Sequence, residues 1–281
     1  MFSDLTGPVK AVIFYVITLG LAVVLAVFFS GTFGEATAML TMLTPAVAML
    51  LMMLVVTGEG RSHAGWMSLG VTRLGFNGWW LAILGPALIL LLSDAILIAI
   101  GLASLRAPVM GASAVDIVVN LAVSLGMGVV LAFTEEVGWR GYMLPRLAAV
   151  GLVPAMLIVG LAQGVWHLPL MLLTPFYHSG GNPMIVVPFF LITLTLAGVF
   201  YGYLRVWTGS VWPVAIAHAV YNFFWNVGSE FVEAKSPTTM EYVGGESGAL
   251  VIVGLGVVTL VLIPRLRGRT FAMADLRTAV G

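Results

Sequence analysis

Three groups of polar residues stand inside stretches that are otherwise apolar enough for lipid: Glu135, Glu136 and Arg140; His167; and His218 with Asn222. A charged side chain at bilayer depth is costly unless it is paired, hydrated or neutralised, so residues kept there are functional candidates. Adjacent carboxylates and two imidazoles are groups that move protons. Glu136 and Arg140 are four apart with the acid first, the favourable order for a pair on one helix face. Glu135 then points about 100° away from Glu136, which leaves one carboxylate clamped and the other free for acid/base work. His218 and Asn222 are likewise four apart and form a second polar face, whose donors could stabilise an oxyanion.

Each group also has a purely structural reading. Glu136 with Arg140 could be an ion pair near the membrane interface, and a lone His in lipid can simply bridge two helices. Glu135 resists that reading, because a second carboxylate beside the first adds desolvation cost and nothing to packing. Asp94 follows Ser93 in an apolar run and has no partner at helical spacing, so it reads as a helix-bridging residue. His63 and His178 fall in predicted loops and read as solvated, and the methionines read as packing filler.

The elements that must position these groups follow from composition. With 281 residues, 60% hydrophobic, 9% charged and a mean hydropathy of +1.09, the chain has too little polar surface to cover a water-soluble globule. The expected fold is all-α: a polytopic membrane protein of about eight transmembrane helices around a polar intramembrane cavity. The net charge of +0 and the lack of like-charge runs give no sign of a nucleic-acid partner. Cysteine is absent, which excludes disulfides and thiolate-bound metal. Met1 to Lys10 leads into an apolar stretch without a small-residue cleavage pattern, so a retained first helix is expected.

Eight stretches have spanning length: near 11–29, 38–57, 79–103, 117–148, 152–173, 185–206, 211–228 and 248–264. The fourth is longer than a bilayer requires, and its last third, Glu135 to Leu147, is polar enough to leave the hydrocarbon. No linker or internal repeat divides the chain, so residues 1–281 are expected to form a single transmembrane domain. Eight spans put both termini on one side with Lys10, Arg61, Arg73, Arg140, Arg146, Arg205, Arg265, Arg267, Arg269 and Arg277, against Arg106 and Lys235 opposite. The positive-inside rule makes the first side cytoplasmic and the membrane the cytoplasmic (inner) one. Trp79, Trp80, Trp207 and Trp212 at span ends read as interfacial anchors.

The polar groups can also be level. Counted from the turn at Val150-Gly151, Glu135 and His167 both lie roughly 22–26 Å along their helices, whereas His218 lies about 14 Å from the turn near Thr208-Gly209. The mismatch vanishes if the first hairpin projects roughly 10 Å further. Since the turn nearest the clusters is on the positive side, an opening toward the cytoplasm is expected.

These residues carry a resemblance. Glu135-Glu136-Val137-Gly138-Trp139-Arg140-Gly141-Tyr142, followed by Leu144-Pro145-Arg146-Leu147, resembles the first motif of the CAAX-protease and bacteriocin-processing (CPBP, or Abi) membrane protease family. Trp166-His167-Leu168-Pro169 resembles the second motif and His218-Ala219-Val220-Tyr221-Asn222 the third, in the same order. Together they place a protease core at about 117–228. One position departs: the family often has Phe four residues before the second-motif His, where this chain has Gln163, and altered packing or substrate preference is the expected consequence. The resemblance implies an eight-helix intramembrane endopeptidase acting on a membrane-associated protein or peptide. By likeness Glu135, aided by His167, activates water, His218 and Asn222 hold the oxyanion, and Glu136 with Arg140 holds the first motif in place.

No metal is required by that scheme, although Glu and two His could also ligate Zn²⁺ with an open water position. The pattern lacks H-E-x-x-H, which favours the metal-free route. An alternative function is a proton- or ion-coupled transporter, since intramembrane Glu and His also form proton relays. A third is a binding or scaffold protein built on a degenerate protease core. Oligomeric state and substrate identity are not encoded in any motif.

Overall fold

A computed structural model describes residues 5–106, 114–178 and 180–269, so Arg277 lies outside the described residues. Seven of its helices are long and apolar enough to cross a membrane: α1 (Gly7–Phe33), α2 (Ala36–Val56), α3 (Phe76–Ala99), α4 (Val115–Arg146), α5 (Leu152–Leu173), α6 (Pro183–Thr208) and, last in the chain, Ala249–Leu266. Between α6 and that last helix lies α7 (Trp212–Phe231), 20 residues long. It is the seventh of the eight expected spans, and its polar side chains lower its hydropathy because it carries part of the site. Ala249–Leu266 is therefore α8. The protein is an all-α, multi-pass integral membrane protein.

The apolar surface is turned outward, as a lipid solvent allows. Leu88, Leu91 and Leu92 on α3, Val118, Val123 and Val130 on α4 and Leu260 on α8 are all exposed. Inside, α7 packs between α3 and α4, and α6 packs against α5 and α8. Small residues let backbones approach, the usual device between helices in lipid. A Cβ added at Gly198 would lie 2.6 Å from the Met156 carbonyl oxygen, and one at Gly160 would overlap the Leu194 carbonyl. The α5 and α6 backbones therefore touch on the half of the pair nearer their Gly151 and Gly209 ends.

At one end of the bundle Glu59 accepts from Lys10 Nζ at 2.8 Å and from Arg146 at 2.6 Å, tying the loop after α2 to α1 and α4. Burial pushes the Glu59 carboxyl up, but Arg146 and Lys10 outweigh it and hold it below the usual carboxylate range. At the opposite end two short strands, β1 (Ala103–Leu105) and β2 (Val232–Ala234), pair antiparallel with Ala103 opposite Ala234. The α5–α6 loop and the α7–α8 segment share that end.

Candidate active site

The long helix α4 changes its winding at the first cluster. It is α-helical through Glu136 and then widens into a π-helical turn over Val137–Met143. Such single wide turns recur at functional sites, and here tertiary contacts surround it. A Cβ at Gly138 would lie 2.6 Å from Pro45 Cβ, and one at Gly141 would lie 3.1 Å from the Leu69 carbonyl oxygen, so both neighbours press on the turn. From the far side Arg205 donates Nε to the Arg140 carbonyl at 3.2 Å and Nη2 to the Ser68 carbonyl at 3.0 Å. The widened turn leaves backbone carbonyls without their usual helical partners, and Arg205 supplies one.

Glu136 and Arg140 pair as their spacing requires. Arg140 Nη1 lies 3.0 Å from both Glu136 carboxylate oxygens, and both side chains are fully buried. The guanidinium lies over the Tyr201 ring at 5.0 Å, a second source of stabilisation for a desolvated cation. Glu136 reaches a third group: His218 Nδ1 is 2.9 Å from its Oε1. His218 is also stacked on Tyr201, centroids 5.9 Å apart and planes 20° apart.

Glu135 turns the other way and is 1% exposed. Its Oε2 accepts from Gln163 Nε2 at 3.0 Å, and Gln163 Oε1 accepts from Arg140 Nη1. One helical turn on, His167 Nδ1 is 2.9 Å from the Gln163 carbonyl oxygen. A carbonyl only accepts, so Nδ1 carries the proton and, in the neutral ring, Nε2 is left with a lone pair.

Glu135, His167, His218 and Asn222 all line one cavity of about 450 Å³, while Glu136 and Arg140 stand behind its wall. The six residues singled out in the sequence are thus brought together, four facing the cavity and two supporting them. Tyr201, Phe190 and Tyr221 give the cavity its aromatic wall. Asp94 is elsewhere: its carboxylate packs beside Gly228 of α7 and does not line the cavity. His63 is exposed, as expected, although it opens the short helix His63–Ser68 rather than lying in a loop.

Two expectations are corrected. His178 is not solvated: its side chain is 6% exposed, with Nδ1 2.9 Å from Glu241 and Nε2 3.0 Å from Glu246. Burial alone would lower the His178 pKa, but the hydrogen bonds to Glu241 and Glu246 raise it to about 9. The cavity also runs away from the arginine-rich end. Its outer wall is Phe176, Tyr177, His178, Glu241 and Glu246, from the loops at the β1–β2 end. α5 and α6 approach most closely at Gly160 and Gly198, and toward these loops Met171 of α5 packs with Val186 and Phe190 of α6.

Sequence reasoning passed over Arg205 and Tyr201, and treated Gln163 only as a departure from a pattern. Gln163 did carry a signal, since a polar residue four before His167 must share its helix face. Among the described residues no three His, Cys, Asp or Glu side chains are placed to hold one metal ion. His167 and His218 commit Nδ1 to a carbonyl and a carboxylate, and Glu135 accepts from Gln163 through Oε2.

Residues 117–224 match the family described as type II CAAX prenyl endopeptidase Rce1-like. Among curated proteins no sequence matches the chain. The matched segment runs from α4 into α7 and contains all six site residues, so it is over residues 117–224 that the chain is similar to Rce1-like domains of the CPBP, or CAAX-protease, family.

Proposed function

We propose that this protein is an intramembrane endopeptidase that hydrolyses a peptide bond of a membrane-associated protein or peptide with a water molecule activated by Glu135. The observation that carries this reading is the convergence of Glu135, His167, His218 and Asn222 on one cavity, from motifs on α4, α5 and α7. Glu135 takes the proton of the attacking water, and the His167 Nε2 lone pair, fixed by the Nδ1 hydrogen bond, orients that water. As the hydroxide adds to the scissile carbonyl, charge develops on its oxygen. His218 and Asn222 donate to it, and the Glu136 carboxylate, accepting from His218 Nδ1, balances the charge of the doubly protonated ring. Collapse of the tetrahedral intermediate returns the proton from Glu135 to the leaving amine.

Glu136 and Arg140 do not touch the substrate in this scheme; they set the position of His218 and Gln163. The scheme requires no metal, because Glu135 itself takes the proton of the water. The arginine-rich end is proposed to face the cytoplasm, which puts the cavity mouth on the extracytoplasmic side of the inner membrane. The aromatic wall suits an apolar side chain next to the scissile bond.

Purified protein incubated with a panel of transmembrane and juxtamembrane peptides tests the reading. Cleavage at a defined bond by wild type, lost in Glu135→Gln and in His218→Ala, is expected. Equal cleavage by Glu135→Gln would refute it, and proton-coupled flux in vesicles without any proteolysis would favour a transporter instead.

A further inference from the structure

We infer that Gln163 is a positioning residue that orients both members of the water-activating pair, Glu135 through its side chain and His167 through its backbone. Its side chain is fully buried between two ionic groups of opposite kind. The direction of the amide is settled by chemistry. Arginine has donors only, so the oxygen of Gln163 must face Arg140, and the NH₂ group must therefore face Glu135. The guanidinium that Glu136 holds in place thus dictates, through one amide, which oxygen of Glu135 is occupied. Oε2 receives the Gln163 proton, and Oε1 has no protein hydrogen bond among the described contacts and is the oxygen left for water.

The backbone of the same residue completes the arrangement. Its carbonyl accepts from His167 Nδ1 at 2.9 Å and fixes the tautomer whose Nε2 lone pair serves the cavity. Glu135 and His167 lie on different helices, so one residue setting both gives them a common reference frame. A hydrocarbon at this position would leave Glu135 without a side-chain donor and Arg140 Nη1 with Glu136 alone. Gln163 therefore does more than adjust packing: its amide wires the structural ion pair to the reactive carboxylate.

Gln163 is the only glutamine in the chain, so labelling with glutamine carrying ¹⁵N at Nε2 reports this side chain alone. In the wild-type protein with ¹³Cδ-labelled glutamate, solid-state dipolar recoupling is expected to show the Gln163 nitrogen beside a carboxyl carbon. That coupling should be lost in Glu135→Ala. No coupling in wild type, or coupling unchanged in Glu135→Ala, would overturn the inference whatever the protein's activity is.

The kinetic arm rests on the endopeptidase reading. Gln163→Met keeps an unbranched side chain of similar length and removes the donor, and it is expected to lower kcat about 10- to 100-fold, the size of a hydrogen bond to a charged group, with KM within about twofold. An unchanged kcat, or a change confined to KM, would contradict a positioning role. Failure of wild type to cleave anything would instead sink the endopeptidase reading and leave the labelling result standing.

Discussion

Glu136 and His218 meet at 2.9 Å although 82 residues of chain separate them. The contact makes the Glu136 carboxylate the shared partner of a buried guanidinium and a buried imidazole, whereas its neighbour Glu135 belongs to the cavity. The two adjacent glutamates should therefore fail in different ways. Glu136→Gln leaves Arg140 buried without its counter-charge and is expected to destabilise by about 3–5 kcal/mol, the range for breaking a buried pair. Glu135→Gln keeps a polar group against Gln163 and should melt within a few degrees of wild type. Thermal denaturation of the two variants in the same detergent checks this, and equal melting shifts would argue against the division of roles.

The close approach at Gly138 gives a second expectation. A methyl group there would lie 2.6 Å from Pro45 Cβ and 2.8 Å from its carbonyl oxygen, so Gly138→Ala must push α2 away from the widened turn. A loss of about 1–3 kcal/mol is expected, as for other overpacked sites. Gly126→Ala on the same helix is the control, since nothing lies within 4 Å of its added carbon. It should be neutral or slightly stabilising, because Ala favours helix over Gly.

The cluster at the cavity mouth should give a pH-dependent stability. Burial would lower the His178 pKa, but Glu241 and Glu246 raise it from 6.5 to about 9. Because the folded value is the higher one, the stabilisation is complete below about 6.5 and is lost as pH rises through about 9. Burial pushes the Glu246 carboxyl up, while His178 and Tyr177 hold it below its ordinary 4.5, so its contribution disappears as pH falls below that range. The melting temperature is expected to decline between pH 7 and 10, and His178→Gln should flatten that decline. A wild-type profile without slope there would contradict a charged His178.

Much of this arrangement is legible in the amino-acid sequence alone. The four-residue spacing announces the Glu136–Arg140 pair, and counting from the two turns brings Glu135, His167 and His218 to one level. Arg140 and Arg205 confirm the offset between the hairpins: their contact lies roughly eleven residues from Gly151 on α4 but roughly four from Gly209 on α6, about 10 Å of helix. What stays hidden depends on three-dimensional packing. The π turn is met by Pro45 of α2, by Leu69 of the α2–α3 connection and by Arg205 of α6, contacts that no local propensity encodes. The burial of His178 requires two loops to fold onto each other. The direction of the cavity is set by which loops wall it, Phe176 to His178 and Glu241 to Glu246, and the nearest turn does not reveal that.

That direction can be tested in this cysteine-free chain without a background to remove. Asn226 lines the cavity and is exposed, whereas Ser62 is exposed at the arginine-rich end. In intact cells a membrane-impermeant maleimide is expected to label Asn226→Cys and to spare Ser62→Cys until the membrane is permeabilised. The reverse pattern would place the mouth on the cytoplasmic side.

The most direct measurement is peptide hydrolysis by purified wild-type and Glu135→Gln protein, before and after chelator treatment, with bound metal quantified in the same preparations. Cleavage that survives chelation at full rate in metal-free wild type, and falls about 100- to 10,000-fold in a well-folded Glu135→Gln, is the expected result. Activity that tracks stoichiometric metal, or that Glu135→Gln retains, would contradict a carboxylate-activated water as the nucleophile.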